Sequence, residues 1–188
     1  VKKEDVLEWL DDVTLPIEQV NEIYNEFMDD DEVVALVAMN ISRRTKVDNP
    51  EASYSETMVD LLTKLSSSSD MSVRWAVAKS PHTKHGVLEI LAKDEVNLVR
   101  ALVATNKNTP KECLQPFFED EKIVRDGLSG NPNATETMLE ALANDSDKMV
   151  RMRVATNPST PKAVLEHLAN DKEDDVVIVA KKALEGTL

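Results

Sequence analysis

Four arginines recur at one position in this 188-residue chain: Arg74, Arg100, Arg125 and Arg151, at steps of 26, 25 and 26 residues, with Arg153 close behind the last. Stacked guanidiniums are chemistry for oxyanions, because each planar fork donates parallel hydrogen bonds to a carboxylate or phosphate. Such a row would grip an acidic peptide or a phosphate backbone. It would equally reach the aspartates that close each unit, among them Asp94, Asp120 and Asp145. A residue fixed by its place in a repeat serves repeat stacking first, so the second reading is favoured. Exposed pairs of that kind contribute only about 0–1 kcal/mol each, and their value would lie in register. Trp75 adjoins Arg74. An Arg–Trp neighbourhood can anchor a partner, or the indole can pack beneath the inserted loop at about 41–54.

Other reactive side chains are sparse. His82 and His85 form H-x-x-H, and Cys113 and His167 lie one and three units away. A zinc site needs three or four converging ligands, so the histidines read as turn residues. Cys113 has no base placed beside it, as a nucleophilic thiol requires, and reads as a small apolar residue. None of the P-loop, G-x-G-x-x-G, G-x-S-x-G or H-E-x-x-H patterns occurs. No metal, cofactor or catalytic set is expected.

The elements that position the arginines follow from the repeat itself. Residues 145–171, DSDKMVRMRVATNPSTPKAVLEHLAND, are its cleanest copy. Val73, Val99, Val124 and Val150 precede the arginines, with degenerate counterparts at Val33 and Val176. Asn40, Ser80, Asn106, Asn131 and Asn157 stand seven residues after these anchors. A fixed period of this size is the signature of a solenoid. Each unit reads as two short helices. The first runs over about eight residues, with apolar positions four apart (Val99/Val103, Val124/Leu128, Val150/Val154). Asn before Pro, or its equivalent, stops it. The second is expected over about ten residues, with Pro110 or Pro161 at its first turn. Helices this short persist only by burying a face against neighbouring units.

Before the repeats, helices are expected at about 4–12 and 16–29, and Asp29–Glu32 suits the positive end of a third. The unit before Val73 is longer by 14 residues, which fall at about 41–54 and include Arg43, Arg44 and Lys46. Insertions in repeat arrays map to loops on one face, often the binding face, so this loop is a candidate contact. Ser53-x-x-Glu56 reads as a capping box opening the next helix. The last unit keeps a first helix at Val176–Ala180 and lacks a second.

The pattern V-R-x-x-V-A-x-N-P-x-T-P-x-x-x-L-x-x-L-A-x-D resembles the leucine-rich repeat variant family, a bacterial, HEAT-like α-solenoid. The resemblance covers about residues 70–180. Ser80-Pro81, Asn106-Lys107 and Ala134-Thr135 depart from the pattern. It implies an all-α, right-handed superhelix of two-helix units and a binding scaffold without shared catalytic chemistry. Some relatives carry an iron–sulfur cysteine cluster, which a chain with Cys113 alone cannot supply.

Composition agrees. Glycine is scarce at 4 residues and aromatics make up 4 %, which favours helix over sheet. A single cysteine allows no internal disulfide and suits a reducing, cytoplasmic compartment. No run is long and apolar enough for a transmembrane helix, and no signal peptide is visible. Net charge is −13, and residues 1–32 hold 12 acidic against 2 basic side chains, or −10. The expected layout is an acidic helical cap over 1–32 and repeats over 33–188, as one continuous domain. The expected function is non-enzymatic binding of a protein or peptide. Two alternatives are nucleic-acid-backbone binding, favoured by a local +3 in 71–114 and opposed by the overall charge, and an enzyme with an unrecognised site.

Overall fold

The computed structural model describes residues 1–47, 49–50 and 54–187, and all regular structure among them is helical. The helices are α1 (Lys3–Trp9), α2 (Ile17–Glu26), α3 (Asp31–Arg43), α4 (Glu56–Leu65), α5 (Met71–Lys79), α6 (His85–Leu91), α7 (Asn97–Thr105), α8 (Lys111–Leu114), α9 (Lys122–Ser129), α10 (Glu136–Leu142), α11 (Lys148–Thr156), α12 (Lys162–Leu168) and α13 (Asp174–Glu185). The repeat is a two-helix unit and the fold is an α-solenoid. Contacts divide the chain into two compact units, Val1–Val99 and Arg100–Leu188.

In the first unit α3 packs on α5, α2 on α4, and α1 on α3. Val33 and Val37 on α3, and Val73 and Val77 on α5, are all buried, at the four-residue spacing that puts both side chains of a helix on one face. Asp30 caps α3, accepting from the Glu32 and Val33 N–H groups. Lys3 bridges Asp30 and Glu32 at 2.8 Å each, tying α1 to the start of α3. In the second unit α9, α11 and α13 lie side by side, and α12 packs on α13. Val124/Leu128, Val150/Val154 and Val176/Ala180 are fully buried there.

Several boundaries differ from the sequence expectation, for local reasons. The second helix of a unit is shorter than ten residues: α6, α10 and α12 have seven. Pro110 and Pro161 stand as N-caps just outside their helices. In the unit at 111–119, Pro116 has no N–H to continue the ladder. The α-helix stops at Leu114, and a 3₁₀ turn over Gln115–Glu119 carries Phe117 into the core. Part of the expected 41–54 loop is helical, because α3 runs to Arg43. The cap of α4 is Ser55, which accepts from the Met58 N–H; Ser53 lies outside the described residues. α13 extends to Glu185 and ends at Gly186, whose φ of 68° is left-handed.

One close approach decides the spacing of α9. A Cβ on Gly127 would lie 2.7 Å from the Ala101 carbonyl oxygen and 3.2 Å from the Ala104 Cβ. Gly86 has nothing within 4 Å. Gly127→Ala is expected to destabilise by about 1–3 kcal/mol through overpacking. Gly86→Ala is expected to be neutral or stabilising by up to about 1 kcal/mol. Urea melts of the two variants beside wild type check the contrast.

Candidate functional site

Each arginine of the row stands one residue after a buried valine on the first helix of its unit. Each meets the aspartate 20 residues later in a side-on, two-bond pair. Arg74 donates from Nε to Asp94 Oδ2 at 2.6 Å and from Nη2 to Oδ1 at 3.1 Å. Arg100 meets Asp120 at 2.7 and 2.8 Å, Arg125 meets Asp145 at 2.6 and 3.2 Å, and Arg151 meets Asp171 at 2.7 and 2.9 Å. The remaining edge of the guanidinium reaches the segment just before its own helix. Arg74 Nη1 donates to the Ser68 and Ser69 carbonyls, Arg125 Nη1 to Asp120 O, and Arg151 Nη1 to Asp145 O and Ser146 O. One side chain thus clamps the end of one unit, the start of the next, and that unit's own end. The aspartates are equally engaged: Asp94, Asp145 and Asp171 each accept the N–H two residues on.

Charge follows geometry. The Arg100 bond holds the Asp120 carboxyl below its ordinary range, and the Arg151 bond does the same at Asp171. At Asp145 burial pulls upward, but the bonds from Arg125 and from the Asp147 N–H outweigh it. Arg153 behaves otherwise. It lies across Gly130 and pairs with Asp126 at 3.1 Å in the open, joining α11 to α9. Trp75 is half-buried, with Lys79 Nζ 4.9 Å above its ring. That is a cation–π contact at helical i,i+4 spacing.

The asparagines form a second clamp. Asn131 Nδ2 donates to Ala104 O at 2.6 Å and Asn106 O at 3.1 Å, while its Oδ1 accepts the Asn133 N–H. Asn157 repeats this on Ser129 O, Asn131 O and the Ser159 N–H. In the first unit Asn40 holds Leu10 O and Asp12 O, and Arg44 Nε takes the place of the N–H donor. Sequence reasoning missed a third element. Thr83, Thr109 and Thr160 donate to the carbonyls of Val77, Val103 and Val154, six residues back. Their constant offset was the available signal.

The 41–54 candidates do not stay together on the surface. Arg43 turns to Asp11 at 2.9 Å and to the Leu10 and Asp11 carbonyls. Arg44 is buried, while Lys46 is exposed. His82, expected as an ordinary turn residue, is buried with Nε2 3.2 Å from Arg44 O. Burial pushes its imidazole below the usual value, so the neutral ring donates to that carbonyl. Cys113, expected to be buried, is half-buried. Among the described residues, no cluster of three or more His, Cys, Asp or Glu side chains is placed to hold a metal ion.

Arg151→Ala leaves Asp171 desolvated and unpaired, and is expected to destabilise by about 3 kcal/mol. Arg153→Ala is expected to change stability by less than about 1 kcal/mol. Thermal melts of both check this. Because the folded carboxyl of Asp171 titrates below its unfolded value, its stabilisation is present above about pH 4. It is lost as pH falls through the folded value. Asp171→Asn should therefore be weaker than wild type at neutral pH, and the gap should close on acidification below about pH 4. Urea midpoints across that range would show it.

Comparison with known proteins supports the architecture. No family model and no curated protein sequence matches the chain. Among solved structures, a leucine-rich repeat variant described as having a novel repetitive structural motif aligns over 95 % of this chain and 80 % of its own. Its TM-score is 0.52 at 21 % identity. A designed armadillo repeat protein, solved with a (KR)4 peptide, aligns over 97 % of this chain and 91 % of its own. Its TM-score of 0.42 at 15 % identity is too low to bear on this chain. The resemblance carried by the V-R, N-P and T-P positions is thereby supported, and the chain has the α-solenoid fold of a leucine-rich repeat variant.

Proposed function

We propose that the chain is a non-enzymatic repeat scaffold that binds a protein or peptide along its stacked first helices. The observation that carries this reading is an apolar strip that the stack leaves uncovered. Ile123 and Met149 occupy the position just before the repeated valine on neighbouring helices α9 and α11. They are 41 % and 47 % exposed. Ion pairs that themselves bridge units flank them: Lys122–Asp147 and Lys148–Asp175, both at 2.9 Å. Large apolar side chains repeated at one surface position, rimmed by charge, suit a docking surface. Neighbouring helices lie about 8–10 Å apart. A polyproline-type segment returns to the same face every three residues, about 9 Å on. A partner segment with apolar side chains three residues apart would match the strip.

Arg125 and Arg151, two residues on from Ile123 and Met149, support this surface by tying α9 and α11 to the aspartates that close their own repeats; Arg74 and Arg100 do the same for their own helices. Arg43, Lys46 and Arg153 are the other sequence candidates that remain exposed, with Trp75 half-buried. The test is cross-linking capture from native extract with wild type and with Ile123→Ser/Met149→Ser, alongside matched melts. The expected result is loss of the captured partner at an unchanged melt. Undiminished capture by the folded double variant would refute this surface. Capture of nucleic acid that weakens steeply between about 50 and 200 mM salt would favour backbone binding instead.

A further inference from the structure

In the first unit, a cavity of about 770 Å³ lies beside the inserted segment. Its walls include Leu15, Ile17, Pro50 and Tyr54, so much of its lining is apolar. Its polar lining sets the donors of Arg44 and Asn49 beside Thr14, Ser55 and the Glu18 carboxylate. Arg44 lines it and is only 2 % exposed. The guanidinium donates from Nε to Asn40 Oδ1 at 3.0 Å and from Nη2 to Leu15 O at 2.6 Å, both neutral acceptors. Among the described residues it forms no carboxylate pair, and Nη1 makes no hydrogen bond. This separates it from the four arginines of the row, each of which has an aspartate.

A second group on the same wall is also unmatched. Asn49 Nδ2 is buried and, among the described residues, has no hydrogen-bond partner. Buried donors without acceptors are rare because leaving one unpaired is destabilising. Here two such groups, one of them charged, share a cavity. The first residues of α2 (Ile17, Glu18) and the Ser55 cap of α4 line it as well. The positive ends of two ten-residue helices therefore fall on the same space. Lys84 stands at the Tyr54 edge, with Nζ 5.7 Å over the ring.

We propose that this cavity binds the carboxylate of a small ligand with an apolar or aromatic body, Arg44 Nη1 and Asn49 Nδ2 donating to the oxygens. The inference stands apart from the scaffold reading and does not depend on it. A monoanion is favoured over a phosphate dianion because Glu18 lines the same cavity and Asp12 lies nearby. Arg44 already lies in the field of both carboxylates, so one negative charge on the ligand is opposed less than two would be. The apolar walls take the body of the ligand, as small-molecule sites commonly do. Two sources carry this chemistry: a free organic acid, and the C-terminal carboxylate of a peptide.

The test uses the whole chain and two pairs of probes at millimolar concentration. One pair is 3-phenylpropionate and 3-phenylpropanol; the other is N-acetylphenylalanine and its amide. Calorimetric titration and thermal shift should show binding by at least one acid and none by its neutral counterpart. Asn49→Ala, which removes a side-chain nitrogen with no partner among the described residues, should keep the wild-type melt. It should weaken the acid's Kd by about tenfold. Arg44→Met should abolish binding. If that variant does not fold, Asn49→Ala decides alone. Binding of N-acetylphenylalanine only would assign a peptide C-terminus, and binding of 3-phenylpropionate only would assign a free acid. Failure of both acids to bind better than their neutral counterparts overturns the proposal, as does an unchanged Kd in Asn49→Ala.

Discussion

A largely buried Arg–Asp pair is favourable only if its geometry is good and its leftover donors are filled, and in this chain four such pairs set the repeat. Arg and Asp stand 20 residues apart in all four pairs, closing a loop that contains the turn and the whole second helix. Taking both ions out of water is unfavourable, and their attraction offsets this only when geometry is good and the leftover donors are occupied. Both conditions hold. The bonds are two-fold and short, and Nη1 meets backbone carbonyls in the three pairs for which those contacts are described. An apolar pair of similar volume could match the stability. It could not set the same register, because only a directional contact fixes where one unit ends and the next begins.

The asparagine and threonine bonds address a different problem. Short helices leave carbonyls unpaired at their C-terminal ends. With helices of seven to nine residues, a large share of the backbone lies at an end. Thr83, Thr109 and Thr160 satisfy such carbonyls within a unit, and Asn131 and Asn157 satisfy them across two. The polar ladders thus satisfy the backbone groups that such short helices leave open at their ends. The valines supply burial, and the ladders supply the pairing that burial demands.

Much of this was legible from spacing alone. The anchors, the first helices and the choice of Asp94, Asp120 and Asp145 as partners all follow from fixed offsets, and offsets survive translation into structure. What was not legible depends on how the irregular unit folds back. Arg43, Arg44 and Lys46 look alike in sequence, as basic residues in a polar insertion. Yet Arg43 ends α3 and meets Asp11, while Arg44 turns inward to Asn40 and Leu15. His82 is buried and meets the Arg44 carbonyl, 38 residues away in the chain. No local pattern encodes that meeting. Pro116 was the opposite case: the signal stood in the sequence, but the apolar register of Leu114 and Phe117 suggested an uninterrupted helix. Backbone chemistry overrode the register.

The single 25-residue step in the period shows where the chain tolerates a change of length. Asp120 precedes Val124 by four residues, where Asp94, Asp145 and Asp171 precede their valines by five. The missing residue falls between units, outside the Arg–Asp span, and Asp120 responds by accepting the Glu121 N–H instead of the one after it. The turn inside a unit is pinned by asparagine and threonine at both edges. When it was lengthened, in the first unit, an arginine side chain took over a backbone donor's place beside Asn40. Insertions and deletions in such a chain are therefore not equivalent. Those between units are absorbed by one shifted hydrogen bond, and those within a unit require a new side chain to restore the pattern.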